Sequence, residues 1–298
     1  MTADEKARGR RPTSAAGRPP AGKPGGNRSA KSADVALARL RPPENAPSSA
    51  RADGDGDVLF GIHAVAAALA NPRRQVRRLL ITENAERRLA AEMALAAVTP
   101  ERASPRDLDR LLGADTVHQG AMAVVDPLPD RELAELIAET GDRGPLVVLD
   151  QVTDPHNVGA VLRSAAVFGS AGLVMTRRNS PPAHGILAKS ASGALELIDL
   201  ALVQNLARAL GEMTAAGVTV LGLDGAAELM IEDEPLTGPV ALVLGAEGKG
   251  LRQLTRDSCT RLVRIMAPGQ IASLNVSNAA AVALHLAAMR RREATLRG

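Results

Sequence analysis

The strand-then-helix rhythm of the C-terminal half constrains this chain more than any other feature. Short apolar runs at Leu146–Leu149, Gly172–Thr176, Leu195–Leu200, Val218–Leu223, Val240–Leu244 and Leu262–Met266 read as strands. Helix-length segments lie between them: Val158–Phe168 closed by Gly169, Ala183–Ser192 and Asn205–Ala216, with a long Ala-rich stretch to Met289 after the last run. Runs apolar throughout are strands buried on both faces, and their alternation with helices makes the sheet parallel. The fold class expected is therefore α/β. Aromatic side chains are scarce, with no Trp, no Tyr and only Phe60 and Phe168, so the core must be built from Ala, Val, Leu and Ile. That scarcity also argues against a base-stacking platform for single-stranded nucleic acid.

A second, smaller unit precedes this half. Asp57 to Pro127 contains strand-like runs at Val76–Thr82 and Met122–Val125, and a short edge strand beginning at Val98. Helical segments fall at 64–71 (stopped by Pro72), Ala85–Ala97 and Pro105–Leu112, which together read as a compact α/β/α unit. Residues 128–144 form a linker with a short helix near Asp130–Glu139, and 145–298 form the second domain. Residues 1–56 are rich in Pro, Gly, Ser and Arg and cannot bury enough apolar surface to offset their ordering entropy, so a disordered tail is expected.

Charge is distributed unevenly between these parts. The net charge is +3, but residues 1–52 hold 11 Lys or Arg against 4 Asp or Glu, and the remainder holds 25 against 29. A basic arm fits a polyanionic partner such as RNA, and fits a solubilising tail equally well. The Arg pairs at 73–74, 77–78 and 87–88 leave the same choice between phosphate contact and a solvated face. A single cysteine, Cys259, rules out an internal disulfide, and the chain shows neither a membrane-length apolar run nor an export signal, so a cytoplasmic location is expected.

Familiar chemical motifs are missing. No P-loop, dinucleotide-binding glycine fingerprint or nucleophile elbow is present, and the five histidines show no metal-ligand spacing, so no metal is expected. Three stretches stand out instead. Asp154-Pro155-His156-Asn157 opens a helix whose apolar run carries Arg163, a costly placement unless that guanidinium pairs or faces a cleft. The turn Gly245–Gly250 holds Glu247 and Lys249 directly after a strand, where open α/β sheets bind ligands. The hexapeptide Ser273-Leu274-Asn275-Val276-Ser277-Asn278 crowds small hydrogen-bonding side chains at the start of the last helix.

Taken in order, DQVTDPHNVGAVLRSA, LVLGAEGKGL and SLNVSNAAAVAL resemble the three motifs of the SpoU (TrmH-type) RNA ribose 2′-O-methyltransferases of the SPOUT class. FGIHAVAAAL and VHQGAMAVV are similar to the start and end of the L30e-like domain that precedes the catalytic domain in family members acting on 23S rRNA. The resemblance implies a SPOUT domain with a deep trefoil knot, a homodimer and S-adenosylmethionine as cofactor. It implies that the backbones of Gly245, Ile265 and Leu274 hold the cofactor. Asn157, Arg163, Glu247, Ser273 and Asn275 would then stand at the reacting ribose.

In that scheme Arg163 acts as base or orienting group, Asn157 fixes it, Ser273 and Asn275 orient the hydroxyl or Arg163, and Glu247 holds its loop and neighbouring cations. The substrate implied is a guanosine in the peptidyl-transferase loop of 23S rRNA, free or in an assembling large subunit. Alternatives are another rRNA site, a tRNA ribose, or a non-catalytic ribosome assembly factor.

Overall fold

The computed structural model describes residues 56–96, 98–269 and 274–297. The expected basic tail, except for Gly56, lies outside the described residues.

The first sheet is built from β1 (Asp57–Phe60), β2 (Val76–Ile81), β3 (Glu101–Arg102) and β4 (Ala121–Val125) in the order β1-β4-β2-β3. β4 runs antiparallel to both β1 and β2, and β3 joins β2 in parallel. Helices α1 (Ile62–Ala70), α2 (Glu83–Arg88), α3 (Ala90–Ala96) and α4 (Pro105–Leu112) connect these strands. The single helix expected over 85–97 is broken: fully buried Leu89 ends α2 and a second helix begins at Ala90. The edge strand expected from Val98 is reduced to Glu101–Arg102. α4 has the fullest local specification, with Ser104 and Asp107 forming a reciprocal capping box and Pro105 at its first position.

The second sheet contains β5 (Leu146–Asp150), β6 (Gly172–Thr176), β7 (Leu200–Val203), β8 (Thr219–Leu223), β9 (Leu229–Met230), β10 (Val240–Gly245) and β11 (Arg261–Arg264). All are parallel, in the order β7-β6-β5-β10-β8-β11-β9. Helices α5 (Leu133–Glu139), α6 (Pro155–Phe168), α7 (Ile186–Ala191), α8 (Leu206–Ala215), α9 (Gln253–Asp257) and α10 (Val276–Arg297) complete this part. β5 shows why its strands read as continuous apolar runs. Val147 and Leu149 face one core with residues of α6 and α10, while Leu146 and Val148 face the other with residues of α5 and α8. Asp154 caps the start of α6 and Gly169 closes it in the left-handed conformation. α6 also packs very close to α7, since a Cβ on Gly159 would lie 2.5 Å from that of Ser190.

One expected strand is wrong. Leu195–Leu200 holds a short 3-10 turn at Ala194–Glu196, and the strand starts only at Leu200. The alternation LELIDL looks like a half-buried strand, but its carboxylates are drawn inward by arginines. Arg74 grips Glu196 through Nε (3.1 and 3.0 Å) and Nη2 (2.6 Å), with both side chains only 2% exposed. Asp199 meets Arg73 (2.8 Å), Arg131 (3.1 Å) and Arg143 (3.2 Å). The Arg pairs at 73–74 and 77–78 are thus committed to Asp199, Glu196, Asp126 and Glu101. The apolar core is also continuous here, joining Leu59, Val65 and Ala123 of the first part to Val147, Leu162 and Leu187 of the second.

Candidate functional site

β5, β10, β8 and β11 are neighbours in the parallel sheet and end at Asp150, Gly245, Leu223 and Arg264. The register sets Gly245 directly opposite Asp150. Two cavities open on the loops beyond these ends. The first, of about 270 Å³, lies among the loops after β8, β10 and β11 and the start of α10. That is near the lower end of ordinary ligand pockets, about 300–1,000 Å³. Gly245, Ile265 and Leu274 all line it, as do Asp224 and Arg264. The second, of about 580 Å³, is lined by Gln151, Asp154 and Asn157 on one side and Lys249 and Arg252 on the other. Ala246, Glu247, Gly250 and Val276 line both cavities and form the wall between them.

The wall owes its shape to glycine. A Cβ at Gly245 would stand 2.1 Å from the carbonyl carbon of Gly250, so the loop folds back on the strand end only because no side chain intervenes. A second tie fixes the far end of the loop. Asp150, fully buried, accepts Arg252 Nε (2.7 Å) and the Arg252 backbone N–H (3.0 Å). Its desolvated charge is thereby paired and hydrogen-bonded.

Three of the expected side chains meet at the wall in a closed ring. Asn275 Nδ2 donates to Asn157 Oδ1 (3.0 Å) and to Glu247 Oε1 (3.2 Å), and Asn157 Nδ2 donates to Glu247 Oε2 (3.4 Å). The other end of the Asn275 amide is engaged as well. Its Oδ1 accepts the Ser277 N–H (2.9 Å), the Ser277 hydroxyl (2.6 Å) and the Asn278 N–H (3.4 Å), capping α10. One amide therefore couples the first turn of a long helix to the first turn of α6 and to the loop after β10.

Two assigned partnerships differ from expectation. Arg163 is exposed on α6 and makes no hydrogen bond or ion pair with the described residues. Six residues from Asn157, it lies about 9 Å along the helix and on another side of it. Asn157 therefore holds Glu247 and Asn275, not Arg163. Glu247 likewise engages these two amides, and the nearby cation Arg252 is held by Asp150 instead. Ser273 lies outside the described residues.

Other features of the site were not singled out from sequence. Gln151 adopts a left-handed backbone (φ 60°) directly after β5, a strain of about 1–3 kcal/mol of the kind that gathers at functional sites. Motif position alone could have drawn attention to Asp150, which stands in the first quoted motif. Arg264 and Asp224 gave no local signal. Cys259 is no nucleophile: burial, together with the charge of Asp150, pushes its thiol up to about 11, and its Sγ donates to the Thr255 carbonyl (3.2 Å). No group of His, Cys, Asp or Glu among the described residues could hold a metal ion.

Comparison with known proteins meets this geometry on both halves of the chain. A model of the SpoU rRNA Methylase family matches residues 144–285. A model described as RNA 2′-O ribose methyltransferase substrate binding matches residues 58–131. The chain is 39% identical over 242 residues to the 23S rRNA (guanosine-2′-O-)-methyltransferase RlmB of Pseudomonas putida, covering 79% of this chain and 97% of that one. It is 40% identical over 240 residues to the RlmB of Ralstonia nicotianae, covering 78% and 96%. Among solved structures, the SpoU methyltransferase AviRb of Streptomyces viridochromogenes in complex with the cofactor AdoMet shares the fold, with TM-score 0.66 and 23% identity over 79% of this chain and 90% of that chain.

Proposed function

The chain belongs to the SpoU rRNA methylase family, and on that premise we propose that it methylates a guanosine ribose 2′-hydroxyl of 23S rRNA with S-adenosylmethionine. The observation that carries this reading is the wall shared by the two cavities, because transfer requires donor and acceptor to meet across one boundary. The residues present fit the cofactor. Gly245, Ile265 and Leu274 line a small cavity with apolar and backbone-rich walls, suited to an adenine and a ribose approached closely by main chain. When bound there, S-adenosylmethionine supplies a methyl group activated by its sulfonium.

The chain's own residues then have separable tasks. The Asn157–Asn275–Glu247 ring holds the wall rigid and leaves the second cavity open for the ribose. Lys249, exposed beside Glu247 and without an ion pair among the described residues, offers its charge to RNA phosphate. Ser273 orients the hydroxyl, and Asn275, its amide committed to Asn157, Glu247 and Ser277, fixes the wall beside it. Arg163 serves the partner subunit's site in a homodimer, where a protonated guanidinium positions the 2′-hydroxyl and adjacent phosphate. Its exposure, without a hydrogen bond or ion pair to the described residues, supports that role. Positioning of this kind can lower a barrier by about 7–11 kcal/mol in favourable cases.

Residues 57–127 are an L30e-like RNA-binding domain, 128–144 a linker and 145–298 the methyltransferase domain, with the knotted path of the SPOUT class. The target is a guanosine of the peptidyl-transferase loop, reached in the cytoplasm on free rRNA or an assembling subunit. No helix among the described residues is long and apolar enough to cross a membrane. The test is transfer of labelled methyl to 23S rRNA and to subunit precursors, with the acceptor nucleotide mapped. One methylated guanosine in that loop is expected. Methylation of tRNA alone would redirect the substrate, and no methylation of any RNA would overturn the enzyme reading.

A further inference from the structure

Hydrogen-bond partners around the first cavity are unevenly supplied. Asp224 is paired with Arg256, and both oxygens of Glu247 are taken by Asn157 and Asn275. Arg264, which ends β11 and also lines the cavity, has no such match. Its Nε is shielded from solvent with no hydrogen-bond partner, and its guanidinium makes no ion pair with the described residues. Glu232 and Arg290 nearby also carry one shielded, unpartnered atom each. Arg290 Nη2 donates to the Glu232 backbone carbonyl (2.7 Å) and Glu232 Oε1 accepts the Met266 N–H (3.0 Å), which leaves the Glu232 Oε2 and Arg290 Nε atoms themselves unpartnered. Neither lines the cavity. A shielded Nε–H with no acceptor is costly to keep unless a ligand completes it.

We infer that Arg264 is the anion-holding residue of the cofactor cavity and takes the α-carboxylate of the methionine moiety. This rests on the reading of that cavity as the S-adenosylmethionine site. The choice follows from the ligand's charges. Its sulfonium and ammonium are cationic and would be repelled, so the carboxylate is the one group that matches a guanidinium fork. RNA phosphate is the less suitable anion. Arg264 lines the first cavity and not the second, where Lys249 and Arg252 face the acceptor side. Arg264 therefore discriminates against analogues that lack the carboxylate.

Calorimetric titration of the full chain with S-adenosylmethionine and with decarboxylated S-adenosylmethionine tests this. The unmodified protein is expected to prefer the carboxylated ligand at least about tenfold, the scale of one charge-assisted hydrogen bond. Arg264→Met should lose that preference by weakening only the carboxylated ligand, and Arg264→Lys should keep part of it. Four results would overturn the inference: no preference in the unmodified protein, a preference retained in Arg264→Met, equal weakening of both ligands, or weakened RNA binding with cofactor discrimination intact. If the unmodified protein binds neither ligand, the cofactor reading itself fails.

Discussion

The seam between the two sheets and the cleft beyond the second sheet use the same kinds of side chain to opposite ends. At the seam, Arg74, Glu196 and Asn71 are locked together, with Asn71 Nδ2 donating to Glu196 Oε2 (2.8 Å) and Arg74 Nη1 to the Asp126 carbonyl (2.8 Å). At the cleft, Lys249 stands exposed and Arg264 has a shielded donor unmet, and Arg163 stands exposed elsewhere on α6, with no ion pair from any of the three to the described residues. Arginines whose donors are all engaged act as structure. Those left with unused donors, like Arg264 at its cavity, are available to a ligand. Arginine content alone separates neither class, because the distinction lies in what faces each guanidinium.

The contrast can be broken most severely at the seam. Glu196→Gln leaves buried Arg74 without its counter-charge and should cost about 3–5 kcal/mol in urea unfolding. A loss under about 1 kcal/mol would place that pair with ordinary surface bridges. At the cleft, Arg163→Ala should leave stability and cofactor affinity nearly unchanged while reducing methylation about 10²–10³-fold or more. If Arg163 serves the partner subunit, mixing Arg163→Ala with Asn275→Ala chains should restore part of the activity. Full turnover in Arg163→Ala alone would remove it from the reaction.

Smaller effects sharpen the same comparison. Asn275→Ala removes a helix cap and should cost about 0.5–2 kcal/mol of stability, with a larger loss in kcat than in cofactor affinity. At Asp199, burial pushes the carboxyl upward, but hydrogen bonds from Arg73 and Arg143 and the charges of Arg73 and Arg131 outweigh it and hold the group below its ordinary 3.8. The seam's contribution from this group is therefore complete above that pH and lost as pH falls through the lower folded value. Asp199→Asn should flatten this part of the acid dependence of unfolding. Arg78→Ala breaks only an exposed pair with Glu101 and should change stability by about 0–1 kcal/mol.

Much of this could be read in the sequence, for physical reasons that also mark where reading stopped. β5, β6, β8 and β10 were legible because strands buried on both faces must be apolar throughout. Leu195–Leu200 misled because its alternating carboxylates answer to arginines far away, Arg74 being 122 residues from Glu196. The Asn157, Glu247 and Asn275 set was legible through motifs that stand in order along the chain. Their ring was not, since hydrogen bonds across 90, 118 and 28 residues leave no local trace. The same holds for Asp150 with Arg252, 102 residues apart, and for Arg264, whose importance lies in a partner it does not have.

The core that runs unbroken from the first sheet into the second limits how this protein can be divided. The Gly193 turn sits against α1, where a Cβ would approach that of Ala67 to 2.8 Å, and the Gly185 N–H donates to the Val58 carbonyl (2.9 Å). A cut within 128–144 would open α7 and this turn to water and strand Glu196 without its cation. The two halves are better regarded as a ruler and a blade cast together: the distance from the first sheet to the second cavity is fixed when the chain folds, and on the proposed function it is set before any RNA arrives.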